Sequence, residues 1–448
     1  MSGIGGVYPS YEDNLLDKTK IAECFTSNFH EILYPINYSS KYGPWQFHHP
    51  PDYKNFIDLS TLTWNGKIKV INKKDPTTPV IETASNDDIR CSVVNNFIHS
   101  TLSKITYTIN DFSMGDTSGK SYPYRAYIDS LLSFSKEAKK QNLKYHGFVP
   151  DTTSQFDNVA KAQNMNKNEG FKKRADMFCK DFFHFSVKLR IDLANIDKLL
   201  QPGVQLRFEL ERNSDNFVLL SDCEDEDAYT FEIKDSSLEF DKLTPTESYF
   251  KHFEESVKGK NNVYCYDRCQ LLQYNYPAGL NDLSIYSLFH TDKLPSYLIF
   301  SLLKDENYLG KLTKNPFKFE PLDLKEFYLL VNGVSYPTQP VKMDISANDY
   351  HHVFVNEFLD KLKLKNSNEG IDISSEEWIK DSFFWIVDLN VDKCSNFYEH
   401  KTNAGTIHLK MQTKSPLSST TRLLVYSTSR ERFNIDYNSG AVSSTLTL

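Results

Sequence analysis

The chain has 448 residues, 40% of them hydrophobic and 25% charged, which is the composition of a globular protein long enough for two domains. The formal net charge of -8 excludes a basic surface over the whole protein, as bulk binding to nucleic acid would need, but leaves room for a local basic face. The 31 Phe and 26 Tyr are unusual, and they indicate β structure because both residues favour half-buried sheet surfaces.

Residues 1–50 are predicted to form an irregular N-terminal arm, because prolines recur there among tyrosines and histidines. The first strand signals follow at Ile57, and apolar residues then alternate with Lys67 and Lys69. Between these segments, Asn65-Gly66 is a dipeptide typical of tight turns, so we expect a turn at this point.

Alternation of apolar and polar residues recurs further along the chain and predicts strands with one face on a core and the other in water. The alternating segments are Ile105–Ile109, Phe185–Leu193, Val204–Leu210, Tyr229–Ile233, Ile407–Met411 and Phe433–Tyr437. Many short, separated strands with few helices are typical of a β-sandwich or a barrel.

Two stretches have apolar residues at helical spacing instead. The first is 123–141, where Pro123 suits the first turn and Tyr127 and Leu131 lie four residues apart. The second is 353–364. Since Tyr122 precedes a proline, we expect it to be extended.

A weak internal repeat links the two halves of the chain. In the first half, a strand runs into Asn110-Asp111, and Ser121-Tyr122-Pro123, a helix, a loop and an aromatic strand follow. In the second half, a strand runs into Asn332-Gly333, and Ser335-Tyr336-Pro337 and the same elements follow. The common order favours two copies of one β-sandwich, joined near Thr244-Pro245-Thr246, and a jelly roll with an inserted helix fits it.

The cysteines do not indicate a disulfide framework or a metal site. There are seven, an odd number, and they are scattered, which favours reduced thiols in a protein assembled inside a cell. Cys265 and Cys269 are the one close pair, and a zinc site there lacks further ligands at usable spacing. The adjacent histidines His48-His49 and His351-His352 would point to opposite faces of a strand and could not chelate one ion.

Two other motifs have a functional and a structural interpretation. The loop Gly115–Ser121 resembles a phosphate-binding loop, but it has three residues between its glycines where that motif has four. Pro123 also follows almost at once, so we favour a polar loop. The acidic run Asp222–Asp227 could hold calcium, but without a glycine hinge or a spaced partner we favour a solvated loop tip.

The block Ser121–Leu132, Ser-Tyr-Pro-Tyr-Arg-Ala-Tyr-Ile-Asp-Ser-Leu-Leu, resembles the major capsid proteins of Maverick/Polinton elements and their adintovirus relatives. Weaker similar segments cover most of the chain, from about residue 55 to 437. They are Val93–Ser100, Asn168–Arg174, Thr313–Phe317, Val331–Pro337 and Arg432–Tyr437. The N-terminal arm is similar to no part of that family.

This resemblance implies an all-β protein with two jelly-roll β-sandwich domains side by side, a double jelly roll with short inserted helices. Together with the repeat, it divides the chain into an arm at 1–50, a first jelly roll at 51–242 and a second at 243–448. It implies a major capsid protein that forms homotrimeric, pseudo-hexagonal capsomers tiling an icosahedral virion shell, with a penton or minor capsid protein as a further partner.

The resemblance supplies no catalytic, cofactor-binding or metal-binding residues, so we expect neither an enzyme nor a cofactor. No apolar run is long enough for a membrane span, and no specific nucleic-acid site is evident. The protein would be made and assembled inside the host cell and end in the virion capsid. Met1-Ser2-Gly3-Ile4-Gly5 is similar to the site cut by adenovirus-type maturation proteases, which suggests cleavage after Ile4.

A different class of protein fits the same fold. A two-domain β-sandwich could bind carbohydrate or a protein partner, because fold alone does not determine function. Such a module would act as a monomer with an exposed aromatic groove, whereas a shell subunit would trimerise.

Overall fold

The computed structural model describes residues 24–37, 42–76, 80, 89–115, 119–159, 167–196, 198–223, 228–258, 260–291, 293–390 and 404–444. These residues are mostly in β-sheets joined by short helices. The strands of the first half are β1 (Phe25–Leu33), β2 (Trp45–His49), β3 (Phe56–Asn72), β4 (Cys91–Val93), β5 (Leu102–Ile109), β6 (Phe112–Gly115), β7 (Phe183–Lys188), β8 (Leu206–Arg212), β9 (Leu219–Ser221) and β10 (Tyr229–Pro245).

The second half repeats this strand-rich organisation. Its strands are β11 (Asn261–Tyr276), β12 (Ile285–Thr291), β13 (Tyr297–Lys304), β14 (Leu324–Val331), β15 (Val334–Lys342), β16 (Trp385–Asp388), β17 (Gly405–Thr413), β18 (Thr421–Asp436) and β19 (Val442–Ser444).

The helices occupy the connections between strands. They are α1 (Phe97–Ser100), α2 (Ser121–Leu132), α3 (Lys136–Gln141), α4 (Glu169–Phe178), α5 (Asp215–Val218), α6 (Glu247–Val257), α7 (Asp305–Leu309), α8 (His351–Val353) and α9 (Ser375–Lys380). Short 3-10 turns at Leu143–His146 and Asp192–Asn195 and a π-helical turn at Phe354–Leu359 complete them.

Each half pairs eight of its strands into two antiparallel sheets. The first half has the orders β1-β10-β3-β7 and β2-β8-β5-β6, and the second has β11-β18-β13-β16 and β12-β17-β14-β15. When the eight strands of each half are numbered along the chain, both halves have the same orders, first-eighth-third-sixth and second-seventh-fourth-fifth. Eight strands that cross repeatedly between two facing sheets form a jelly roll, so the protein is a double jelly roll.

Aromatic side chains fill the space between the two sheets of each sandwich. In the first, Trp45 of β2 and Trp64 of β3 are buried, with ring centroids 6.1 Å apart. In the second, Trp385 of β16 lies 4.8 Å from Phe327 of β14, on the facing sheet. The abundance of aromatic residues is therefore explained by sheet packing.

The predicted irregular arm at 1–50 is wrong where β1 and β2 form. β1 lacks an alternating pattern because most of its side chains are exposed, and it is held by pairing with the distant β10, for example Leu33 with Leu238. Pro35 and Pro44 lie in the connection between β1 and β2, where no ladder hydrogen bond is required of them. Residues 1–23, with the candidate cleavage site, are outside the described part.

The tight turn predicted at Asn65-Gly66 is also wrong, because β3 continues through both residues. Gly66 pairs with Phe185 of β7, and a Cβ atom on residue 66 would lie 2.9 Å from the Cζ atom of Phe185. The glycine is therefore needed where an aromatic ring lies against the strand.

The helix predicted at 123–141 is present but divided into α2 and α3, and Ser135 caps α3 by accepting a hydrogen bond from the Ala138 amide. Tyr122 is helical, so its predicted extended conformation is wrong; it lies in the first turn of α2 with Pro123. The helix predicted at 353–364 corresponds to α8 and the π-helical turn, which end at Leu359.

The sequence did not predict α4 or α6. Helix α6 follows β10 directly, and its cap residue Thr246 accepts a hydrogen bond from the Tyr249 amide. Helix α4 is capped in the same way by Asn168. Both caps are of the usual kind, but the helices are short and lie between strands, where their periodicity is hard to recognise.

Candidate functional site

The motifs with possible chemistry are used structurally. Lys120, the lysine of the phosphate-loop-like segment, donates hydrogen bonds to the carbonyl oxygens of Tyr308 and Leu309 at 3.2 and 2.9 Å. It also lies over the rings of Phe217 and Tyr308. Residues 116–118 and 224–227, in the loop and in the acidic run, are outside the described part.

The cysteine and histidine pairs form no metal site that the structure describes, since no group of three or more potential ligands occurs among the described residues. Cys269 lies on β11, and its amide donates to Asp192 Oδ1 at 3.2 Å. His49 is buried and His48 contacts Gln205, as expected for opposite faces of a strand. His351 and its neighbour lie on α8 and not on a strand, so that argument does not apply to them.

The segments that carry the family resemblance do meet, at the junction between the two sandwiches. Helix α2 lies between β5 of the first sandwich and β11 of the second. All of its residues except Asp129 are buried. A helix buried all round belongs to a protein core, so α2 joins the two sandwiches into one packed unit.

Stacked aromatic rings form the apolar part of this junction. Tyr127 of α2 stacks on Phe317 of the second sandwich, with ring centroids 4.2 Å apart and planes 2° from parallel. Tyr124 stacks in the same way on Tyr308, at 5.5 Å and 4°. Burial raises the pKa of both phenols well above the ordinary value, so they act as packing groups and not as acids.

A buried arginine of the same helix holds one polar cluster. The guanidinium of Arg125 lies 2.6 Å from Asp192, and Asp129 lies one helical turn further along at 3.9 Å. From the second sandwich, the hydroxyl of Tyr426 lies 2.9 Å from Asp129 and 3.2 Å from the Cys269 sulfur. Burial, and then the charge of Asp129, raise the pKa of Tyr426 well above its ordinary value.

A second buried cluster is formed by Asp151, whose side chain is completely buried and pairs with Arg174 at 2.5 Å. Its other oxygen accepts a hydrogen bond from Asn315 of the second sandwich at 3.0 Å. Asn168 donates to Asp151 at 2.8 Å and also caps α4. Arg174, Asn168 and Asn315 belong to segments that carry the resemblance: Arg174 and Asn168 hold the Asp151 carboxylate in place, and Asn315 joins it to the second sandwich.

Gly170, in the first turn of α4, lies where there is no room for a side chain. A Cβ atom at this position would lie 2.2 Å from the carbonyl oxygen of Pro150, closer than any Cβ contact allows. The start of α4 therefore packs directly on the backbone of the segment that carries Asp151.

Two carboxyl groups of the second sandwich face this junction, and the favourable contacts of their charged forms do not offset the cost of burial. Burial, and then the charge of Asp381, raise the pKa of Glu377 to about 7. Burial raises the pKa of Asp381 to about 6, although it accepts a hydrogen bond from the Ser154 amide at 2.6 Å. The cavity beside Glu377 has a volume of about 10 Å³, room for one water molecule and not for a substrate.

The sequence indicated the segments that form this junction, but it did not predict that they contact each other. The residues in contact are far apart in the sequence, and Tyr426 and Asp129, for example, are separated by 297 positions. A signal was nevertheless present at Arg125, because a charged residue within an otherwise largely apolar and aromatic block is typical of a buried hydrogen-bonded network.

Comparison with known proteins agrees with this architecture. No family model matches the chain. An uncharacterized protein of Caenorhabditis elegans is 20% identical over 314 residues, which are 70% of this chain and 72% of that protein. This similarity covers the greater part of both chains but carries no functional description.

Solved structures of viral proteins are similar over nearly the whole chain. A chain of the Sputnik virophage structure has a TM-score of 0.62 at 11% identity, covering 98% of this chain and 92% of its own. The Faustovirus major capsid protein has a TM-score of 0.56 at 7% identity, covering 94% and 93%. The mavirus major capsid protein has a TM-score of 0.53 at 9% identity, covering 98% and 94%. At such identities the likeness concerns the fold, and the predicted double jelly roll is confirmed.

No helix among the described residues is both long and apolar enough to cross a membrane.

Proposed function

We propose that this chain is a major capsid protein of the Maverick/Polinton type. It would assemble as homotrimeric, pseudo-hexagonal capsomers that tile an icosahedral virion shell, with a penton or minor capsid protein at other positions. The observation that carries the proposal is the identical strand order of the two sandwiches, together with likeness to viral capsid proteins over more than 90% of the chain.

The junction supports this function better than a catalytic one. Two sandwiches joined by stacked rings and by hydrogen bonds to carboxylates of the first sandwich form one packed unit, which suits a subunit that must repeat one geometry many times. The most deeply buried charges of the junction are paired with each other, as Asp151 is with Arg174 and Asn315. We therefore propose a structural role without cofactor or metal.

The domain division belongs to the same proposal. A first jelly roll at 51–242 and a second at 243–448 would follow an arm at 1–50. β1 and β2 pair with strands of the first sandwich, which favours placing Phe25–Leu33 and Trp45–His49 in that domain as well. Assembly inside the host cell is consistent with the free thiols of the six described cysteines.

The decisive experiment measures the mass of the purified protein in solution by light scattering. We expect three times the mass of the chain over a wide range of concentrations and at moderate salt, because shell subunits bury large side faces. A stable monomer at high concentration would contradict the proposal and favour the two-domain binding module. Electron microscopy of the same sample should show three-fold particles with a pseudo-hexagonal outline.

A matched pair of variants can locate the contact between subunits. Ile32 of the edge strand β1, and Tyr34 and Ile36 just after it, are exposed by 46%, 61% and 70%, and a patch of exposed apolar side chains is typical of an interaction surface. Tyr34→Asp should lower the trimer fraction, whereas Tyr145→Asp, at a tyrosine exposed by 62% elsewhere, should not. The reverse result would place the contact on the Tyr145 side.

A further inference from the structure

Three nitrogen-bearing side chains lie around Tyr122 in the first sandwich, and His99 is buried whereas His146 and Arg190 are half-buried. His99 lies on α1 and has no exposed surface, and His146 ends the 3-10 turn that follows α3. Their imidazole rings are 5.5 Å apart and edge to face. Arg190, which follows β7, completes the group, and its amide lies 3.4 Å from the Tyr122 hydroxyl oxygen.

The Tyr122 hydroxyl connects His99 with Arg190. Its oxygen accepts a hydrogen bond from the Arg190 amide at 3.4 Å and lies 2.9 Å from His99 Nδ1. When His99 is protonated, both of its ring nitrogens are donors, so Nδ1 can donate to this hydroxyl while Nε2 remains as a further donor. That Nε2 atom is buried and has no hydrogen-bond partner.

Two further nitrogen atoms of the group are in the same condition. His146 Nδ1 and Arg190 Nε are buried without a hydrogen-bond partner. Buried polar groups are almost always hydrogen-bonded, because leaving one unpaired costs free energy that folding cannot easily supply. Three such atoms in one group indicate a ligand that accepts hydrogen bonds.

The charge of the group indicates what kind of ligand this is. The guanidinium of Arg190 lies 4.8 Å from the ring centre of Phe134, and among the described residues no carboxylate forms an ion pair with it. Burial, and then the charge of Arg190, lower the pKa of His146 to about 4. Burial, and then the charges of His146 and Arg190, lower the pKa of His99. The two histidines are therefore uncharged at neutral pH, and Arg190 supplies the positive charge of the group.

We propose that His99 Nε2, His146 Nδ1 and Arg190 Nε form a binding site for a small inorganic anion with the size and charge of chloride. The anion accepts hydrogen bonds from the three nitrogens and neutralises Arg190. A water molecule in its place would satisfy hydrogen bonds but would leave the half-exposed guanidinium of Arg190 without a counter-ion.

Anion binding at this site is coupled to protonation of the two histidines. A bound negative charge favours the imidazolium form, so protons and chloride bind together as the pH falls below the ordinary histidine range. Chloride should therefore protect the folded protein in mild acid more than at neutral pH.

The direct test uses bromide, which replaces chloride and gives an anomalous X-ray signal. A crystal of the full, unaltered chain in sodium bromide should show an anomalous peak within hydrogen-bond distance of all three nitrogens. Ordinary water density without an anomalous signal at that place would overturn the proposal.

The solution test compares the melting temperature in sodium chloride and in sodium gluconate of equal ionic strength at pH 5. The melting temperature should rise with chloride along a saturating curve. Arg190→Gln should lose this rise, and Arg207→Gln, at an exposed arginine of β8, should keep it. Equal melting in the two salts would contradict the proposal, and if Arg190→Gln does not fold, the bromide result decides.

Discussion

In both sandwiches an asparagine closes the hairpin between the fourth and fifth of the eight jelly-roll strands, β5 and β6 in the first and β14 and β15 in the second. The Asn110 side chain accepts a hydrogen bond from the Gln205 amide at 2.8 Å, and that of Asn332 accepts one from the Thr406 amide at 2.9 Å. Their φ angles, 52° and 51°, are nearly equal. Since asparagine tolerates this left-handed conformation better than most residues, the match between the two halves has a physical cause at these positions.

The two Ser-Tyr-Pro sequences that follow are not equivalent in the same way. Tyr122 lies in the buried helix α2, whereas Tyr336 lies in β15, an edge strand, with its hydroxyl donating to the Asp388 carbonyl at 2.7 Å. The repeat is therefore genuine in strand order and in the hairpin asparagine but accidental at the tripeptide. The comparison teaches that the first sandwich places the tripeptide after its fifth strand, at the start of the buried helix of the junction, whereas the second places it within its fifth strand, β15.

The largest expected effect tests this difference with one substitution in α2 and one in β15. Tyr127→Ala should lower the free energy of unfolding by about 3–5 kcal/mol, because it removes a buried ring that stacks on Phe317. Tyr336→Ala, at a half-exposed tyrosine, should cost about 1–2 kcal/mol for its hydrogen bond and partial packing. Urea unfolding followed by tryptophan fluorescence measures both.

Equal losses of unfolding free energy in the two variants would show that α2 is no more central to stability than β15. A change in the slope of the transition for Tyr127→Ala alone would indicate that the two sandwiches unfold separately once the junction is weakened.

Strands with strict alternation could be predicted from the sequence, because one face of each is buried and the other is wet. This is how Ile105–Ile109 and Val204–Leu210 predicted β5 and β8, whose limits differ from those segments by at most three residues. The edge strand β1 could not be predicted, because its side chains are largely exposed and its pairing with β10 spans about 200 residues.

The junction was out of reach for a similar reason. Asp151 and Asn315 are 164 positions apart, and no local pattern records that their side chains meet. The turn expected at Gly66 failed because a glycine suits both a turn and a strand that packs against a ring, and the ring of Phe185 lies far away in the sequence. The family resemblance located the important segments, but their contacts required the three-dimensional structure.

A second, smaller effect is a pH dependence of stability at Glu377, where α3 of the first sandwich packs near the second sandwich. The carboxyl group of Glu377 has a pKa raised to about 7, so the folded state holds its proton more tightly than the unfolded state does. Stability from this source is fully present below the ordinary pKa, about 4.5, and is lost as the pH rises towards 7. We expect a loss of roughly 1–2 kcal/mol over that window after allowing for solvent screening.

Glu377→Gln should remove this loss, because the amide stays neutral at every pH and keeps the shape of the side chain. The neighbouring Glu376 is exposed and pairs with Lys380 at 2.6 Å, so Glu376→Gln is a matched control that should keep the pH dependence. Thermal melting between pH 4.5 and 8 measures the difference. Identical profiles for Glu377→Gln and the unaltered chain would mean that Glu377 does not bind its proton more tightly in the folded state.

The smallest expected effect returns to the two hairpins, which share their asparagine but differ at the next residue. Gly333 has a φ of 81° and follows Asn332, so both central residues of that turn are left-handed, whereas Asp111 in the equivalent place is not among the residues with positive φ. No atom lies within 4 Å of a Cβ built on Gly333, so Gly333→Ala should cost about 1 kcal/mol through backbone strain alone. Asp111→Ala should change stability by less than about 0.5 kcal/mol, because its backbone conformation suits any residue. Urea midpoints of the two variants give the comparison, and a loss for Asp111→Ala as large as that for Gly333→Ala would show that the two turns bear the same strain.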